Sequence, residues 1–199
     1  MKVTFADLWH PLGGVNITDL GAKRFLFRFY NEVDVDRVLS GSPWHFNRKL
    51  LLWQMIKDGE DPLLISLIHA DFWLQVHDLP KGFMTETATN LLENFVGIFV
   101  AYHIKVLTSL QPTYLRIWVR LDIRQPLRRR KKLILPSGDA IFVKFRYERL
   151  TVLCLLCGKL GHMDNFCELC LHLKKEELRL EWNNSIRVPG RRQAVRGSS

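Results

Sequence analysis

Between Cys154 and Cys167 the chain reads CLLCGKLGHMDNFC, placing three thiols and one imidazole in one short loop as Cys154-x2-Cys157-x4-His162-x4-Cys167. Tetrahedral zinc takes four nitrogen or sulfur ligands of this kind, and two cysteines separated by two residues wrap one ion from a tight turn. Gly158 and Gly161 stand where the loop must reverse, and glycine tolerates the positive φ angles that reversals need. Three thiolates overcompensate the dication, and Lys159 and Lys174 are close enough in sequence to offset the excess. A loop this short has no apolar core of its own. The reading is therefore one structural Zn2+ whose binding supplies most of the loop's folding free energy.

Other chemistries fit less well. Disulfides need an oxidising compartment, and the opening residues MKVTFADLWH lack the apolar stretch of a secretory signal. A Cys157–His162 nucleophilic pair has no orienting group or oxyanion hole near it in sequence. Cys170 is left over and reads as a free thiol beside the site. Exchange with Cys167 is the lesser alternative, and His172 has a similar minor claim.

The 199 residues are 47% hydrophobic, enough for one real core and a small appendage. No apolar run reaches the roughly 18 residues that a bilayer span requires. With no secretory signal either, the expected location is the nucleus or cytoplasm, where cysteines stay reduced. A formal charge of +9 favours a polyanionic partner, nucleic acid before an anionic membrane surface.

The elements that must position the loop follow from hydrophobic patterning. Phe5, Leu8 and Trp9 give a short apolar signal in an entry segment. In RFLFRFY, residues 24–30, Phe25, Phe27 and Phe29 share one face of an expected strand. Asn31 is a helix N-cap for residues 33–39, ended by Gly41. Residues 48–55 read as a second strand closed by a turn at Asp58 and Gly59, and residues 71–77 as a third. There Phe72, Leu74 and Val76 face a core, and Trp73, Gln75 and His77 face an open surface. Thr85 caps a second helix whose stripe is Ala88, Leu91, Leu92, Phe95 and Val96, with Gly97 at its end. Residues 98–106 return as a fourth strand. The order βαββαβ is the split-βαβ arrangement of ferredoxin-like and RNA-recognition folds, so the expected class is α+β.

Residues 114–123 and 140–148 alternate cleanly and read as a hairpin with a basic, aromatic-bearing outer face. That face holds Arg116, Trp118 and Arg120 on one strand and Lys144 and Arg146 on the other. Between them lie Arg128, Arg129, Arg130, Lys131 and Lys132, then a turn over residues 136–139. The run is open to three readings: phosphate clamp, nuclear-import signal or soluble turn. After Cys170, residues 174–182 look helical, and a basic tail from about Pro189 looks disordered. The expected organisation is thus a βαββαβ domain over 1–107, a basic hairpin extension over 108–150, a CCHC zinc knuckle over 151–170 and a helix with tail over 171–199.

Cations attract phosphates, while aromatic, guanidinium and apolar groups meet exposed base faces. The hairpin cations can therefore hold a single strand of RNA or DNA. Leu155, Lys159 and Met163 supply a small platform and a charge on the knuckle itself. The rival assignment is an interaction module that uses the zinc loop as a rigid knob, for an acidic partner or for homo-oligomer assembly. Nothing suggests a small-molecule substrate or a membrane partner. An enzyme is not expected: Asp34 and Asp36 are the nearest carboxylate pair, but on a helix they point apart, and they read as a solvated helix start.

Several stretches together resemble a plant family that joins a domain of unknown function, number 4283, to a CCHC zinc knuckle. They are GAKRFLFRF, the PWHF ending at Phe46, FWLQVHDLP ending at Pro80, LRIWVRLDIRQPL ending at Leu127, and YERL leading into the cysteine loop. The resemblance implies a retrotransposon-derived protein of LINE or gag-like kind that binds zinc and nucleic acid. It maps the metal ligands onto Cys154, Cys157, His162 and Cys167. Thr151 departs from the family pattern, where proline commonly follows the YERL segment.

Overall fold

Strand β5 (His69–His77) is buried on both faces along nearly its whole length, and the sheet is built outward from it. The computed structural model describes residues 2–83, 92, 95–99, 114–135, 137–172 and 179–189. Among these, β7 (Leu115–Asp122) pairs antiparallel with β5 from His69↔Asp122 to Val76↔Leu115. On the other side β9 (Ala140–Tyr147) pairs from Leu74↔Tyr147 to His77↔Lys144. β6 (Ile98–Phe99) flanks β7 and β8 (Arg130–Ile134) flanks β9, so the order is β6-β7-β5-β9-β8.

Side chains alternate across a strand, and here the two faces carry different chemistry. One is apolar: Phe72, Leu74 and Val76 of β5 meet Ile117, Val119 and Leu121 of β7 and Val143, Phe145 and Tyr147 of β9. The other is a ladder of polar and aromatic cross-strand pairs. Trp73 stacks on Trp118 with ring centroids 5.8 Å apart. Arg120 grips buried Asp71 through two bonds of 2.7 and 3.0 Å. Arg116 donates to both oxygens of Glu148 at 2.9 and 2.8 Å and lies 3.6 Å over the Trp73 ring.

The N-terminal half covers that ladder. β1 (Val15–Gly21) and β2 (Arg24–Phe29) form their own antiparallel hairpin. Helix α1 (Lys2–Trp9) drives Phe5 and Trp9 against Phe27, with Phe29, Phe46 and Trp44 around them. Helix α2 (Glu32–Ser40) begins as its cap predicts, Asn31 Oδ1 accepting from Val33 N at 3.0 Å, and ends at Gly41. Its end contacts the sheet: Trp73 Nε1 donates to the Ser40 carbonyl at 3.1 Å, and the Arg149 guanidinium donates to the Gly41 carbonyl.

These observations correct the split-βαβ expectation. Residues 24–29 pair with β1 and not with β5, because their phenylalanines are consumed by α1. The stretch 48–55 is not a strand. Only β4 (Lys49–Leu50) pairs, with β3 (His45–Phe46), across a turn in which Asn47 and Arg48 take positive φ. Leu52 then packs toward the main core, while Trp53 hydrogen-bonds Ser42 Oγ and lies 5.3 Å from the Arg120 guanidinium, so the apolar run serves packing without a ladder. Residues 114–123 and 140–148 are not hairpin partners; β5 lies between them. The expected turn over 136–139, described at residues 137–139, instead lies between β8 and β9. Asp34 is no solvated helix start. It is buried and accepts Leu12 N and Gly13 N, both at 2.8 Å, and those two bonds hold its carboxyl below the usual range despite burial.

Of the second helix, Leu92, Phe95 and Val96 are helical, while Thr85, Ala88 and Leu91 lie outside the described residues. Gly97 follows, where a β-carbon would fall 2.3 Å from the Arg120 carbonyl oxygen. The expected fourth strand is described only at Ile98 and Phe99. Of the helix expected over 174–182, residues 174–178 lie outside the described residues and 179–182 are irregular; the tail beyond Pro189 is also outside them. No helix among the described residues is long and apolar enough to cross a membrane.

Candidate metal centre

The loop folds back on itself through its backbone before any metal is considered. Cys154 N bonds the Lys159 carbonyl at 3.0 Å and Gly158 N the Cys154 carbonyl at 2.9 Å. Gly161 N returns to Val152 at 3.1 Å, and Leu153 bridges Leu160. Both glycines have positive φ, +71° at Gly158 and +97° at Gly161, as the sequence reading required. A single 3-10 turn (Asp164–Phe166) then brings Cys167 back, its N–H bonding the Asp164 carbonyl.

This places one ligand atom each from Cys154, Cys157, His162 and Cys167 within 4.8 Å of one another. The Cys157 sulfur and His162 Nε2 are 3.3 Å apart. Bonds of about 2.3 Å to sulfur and about 2.0 Å to nitrogen in a tetrahedron put ligand atoms roughly 3.5–3.8 Å apart, so an ion would draw the widest pairs together by about 1 Å. Burial pushes the Cys154 thiol up to about 12, aided by hydrogen bonds with neighbouring thiols. The charge of a dication is what would make such a thiol give up its proton. The donor set fits one structural Zn2+. Cys170 is outside the four; its sulfur turns to the Asp164 carbonyl at 3.3 Å. His172 is exposed, and Lys174 lies outside the described residues.

The knuckle is not a bead on a string. Leu153 and Leu160 are buried in the main core with Leu150 and Ile186. Leu127 N donates to the Gly158 carbonyl at 2.9 Å, and Trp182 Nε1 donates to the Leu127 carbonyl at 2.9 Å. Residues 182–188 form a strap over the junction. Trp182 N bonds the Leu155 carbonyl at 3.1 Å, and Val188 N bonds Tyr147 at 3.1 Å. Arg187 donates to the Leu150 and Thr151 carbonyls. Sequence reasoning missed this strap: it placed Trp182 at the end of a helix, and Ile186 beyond it is an isolated apolar residue with no period.

The expected nucleic-acid residues separate into covered and open sets. Arg116, Trp118 and Arg120 do share a face with Lys144 and Arg146, but the first three are engaged in the ladder beneath the N-terminal half. That corrects the expectation of an open basic face on β7, and likewise for Trp73 and Gln75 on β5. Leu155 is half-buried and packs toward the core, so it offers no free platform. Met163 and Lys159 are exposed. So is Phe166, at 78%, an aromatic that the motif reading passed over.

The basic run is not a turn from end to end, since β8 begins at Arg130. Arg128 and Lys131 flank the Phe95 ring at 5.2 and 4.5 Å. Arg129 donates to the Glu181 carbonyl and lies 5.2 Å from the Trp182 ring. Arg130 lies 5.0 Å from Phe142, a second exposed aromatic that was missed. Lys132 is exposed and Arg146 half-exposed, while Lys144 reaches Asp78 at 2.9 Å with both side chains in solvent.

Comparison with known proteins agrees with this division of the chain. Residues 121–169 match the family model described as "Zinc knuckle", and residues 1–63 match that of "Domain of unknown function (DUF4283)". Both halves of the resemblance read from the residues are thereby borne out. An uncharacterized Arabidopsis thaliana protein, At4g02000, is 25% identical over 135 residues, covering 68% of this chain and 42% of that protein. The chain thus spans about two-fifths of the length of the curated relative it matches. No solved structure matches. The zinc-knuckle match begins at Leu121, well before the first cysteine, in keeping with a knuckle that shares its core with β7, β8 and β9.

Proposed function

We propose that this chain, a DUF4283-type region followed by a zinc knuckle, is a non-enzymatic nucleic-acid-binding protein that prefers single-stranded RNA or DNA. It is retrotransposon-derived on this reading and acts in the nucleus or cytoplasm. One observation carries the reading: the CCHC cluster is fixed against a sheet that displays Arg130, Lys132 and Arg146, which make no ion pair among the described residues. Zinc holds the knuckle in shape, and Lys159 and Met163 with Phe166 on its exposed side meet the polymer. The chain's net charge of +9 supplies long-range attraction.

Self-assembly through the open edge of β8 is the weaker alternative, because Arg130 and Lys132 on that strand oppose pairing with a second copy. The direct test is a titration of zinc-loaded protein with labelled oligonucleotide at rising salt. Phosphate contacts require affinity to fall steeply with salt; an affinity independent of salt, or no binding at all, removes the reading.

A further inference from the structure

We propose that the exposed side of the β8–β9 ribbon is a binding strip for single-stranded nucleic acid. In it Phe142 stacks on a base, and Arg130, Lys132, Lys144 and Arg146 hold the neighbouring phosphates. The inference rests on the nucleic-acid reading above and adds which surface holds the polymer and in what form.

The register of the ribbon builds the strip. Arg130 stands opposite Lys144 and Lys132 opposite Phe142, while Arg146 follows Lys144 on the same side. Val143 and Phe145 point the other way, into the core. Phe142 is 48% exposed, although a large aromatic is normally turned inward. The Arg130 guanidinium lies 5.0 Å from the ring centroid.

Most of these charges lack a carboxylate partner among the described residues. Glu148, the carboxylate on this face of β9's end, is already held by Arg116 and Gln75. Among the described residues Arg130, Lys132 and Arg146 make no ion pair, and the exposed Lys144–Asp78 pair is weak. Like charges placed directly opposite across a ladder destabilise it, and Arg130 faces Lys144. A polyanion laid along the ribbon relieves that repulsion. The aromatic selects the form of the polyanion, because a base offers its π face to Phe142 only when it is unpaired.

The test uses the full zinc-loaded chain with labelled oligothymidylate and oligouridylate, and a duplex of equal length, followed by fluorescence anisotropy. Tryptophan-monitored melting of each variant checks that the sheet is intact. Phe142→Ala should weaken single-strand binding about ten-fold or more, and Phe142→Trp should retain it. Lys132→Ala and Arg146→Ala should each lower the salt slope by about 0.7. Unchanged binding by Phe142→Ala or unchanged salt slopes would place the contact elsewhere and overturn the strip while leaving nucleic-acid binding standing. Duplex bound as tightly as single strand, or phosphatidylserine-containing vesicles bound in its place, would also overturn it. A wild-type chain that binds no oligonucleotide would remove both readings together.

Discussion

Trp182 fills the space in which a side chain at Gly158 would stand: a β-carbon there would lie 2.2 Å from the indole. The glycine of the metal loop is therefore also the seat of the strap that joins the loop to the sheet. Its positive φ and its missing side chain are used at once.

Substitution separates the two uses. Gly158→Ala should cost about 2–4 kcal/mol, the sum of an unfavourable φ and an overpacked contact. Gly161→Ala has positive φ but no neighbour within 4 Å, and should cost about 1–2 kcal/mol. Chemical denaturation of the zinc-loaded variants gives both numbers. A larger loss at Gly161 would contradict the Trp182 contact.

Metal removal should be felt beyond the loop. Elemental analysis of reduced protein is expected to find one zinc per chain. Chelation should lower Tm and shift Trp182 emission to longer wavelength as the strap loses its seat, and Cys154→Ser should do the same. Cys170→Ser should leave zinc content and Tm unchanged, because its sulfur turns away to the Asp164 carbonyl.

Arg120 supports the fold through its ion pair with Asp71 and stands outside the proposed strip. Arg120→Ala strands buried Asp71 and should destabilise by about 3–5 kcal/mol, while replacing both members with leucine should recover most of that loss. A double-mutant cycle measures the coupling. Where the protein remains folded, the salt slope for oligonucleotide binding should be that of the wild type, in contrast to Lys132→Ala.

Stability should fall on mild acidification. Burial, with the positive charge of Arg149, lowers the pKa of His45. Burial, with Arg146 and Lys144 set against Asp78, lowers that of His77. Each folded value lies below the ordinary 6.5, so the unfolded chain binds more protons in the window beneath it. The stability is complete above pH 6.5 and is lost as pH falls toward the folded values. Melting in excess zinc between pH 8 and 5 should show the decline, and His45→Gln with His77→Gln should flatten it. If the strip holds a polyanion, saturating oligonucleotide should raise the His77 pKa, read from its ring-proton NMR shifts.

The metal ligands were legible in sequence because ligand spacing is a local property, and so were the alternating strands at 115–122 and 140–147. Their pairing was not. Either alternates well enough to neighbour the other, and nothing in the pattern says that β5 intervenes. The β5 sequence itself reads as half-open because Asp71 and Gln75 are polar. They are buried because Arg120 and Glu148, distant in sequence, complete their hydrogen bonds. Residues 48–55 misled for the opposite reason: apolar side chains sought the core without a ladder. Phe142 was missed although the alternation of its strand sets it on the side of Lys144 and Arg146; the register with β8 then shows it opposite Lys132.

Leu153 and Leu160 belong to the sheet's interior as much as to the loop that carries them. Excising residues 151–170 would open a hole beneath β9, and grafting them onto another host would leave their oily side bare. Any recombination that trades such loops between proteins would here have to carry along the core of β5, β7 and β9 that the two leucines share.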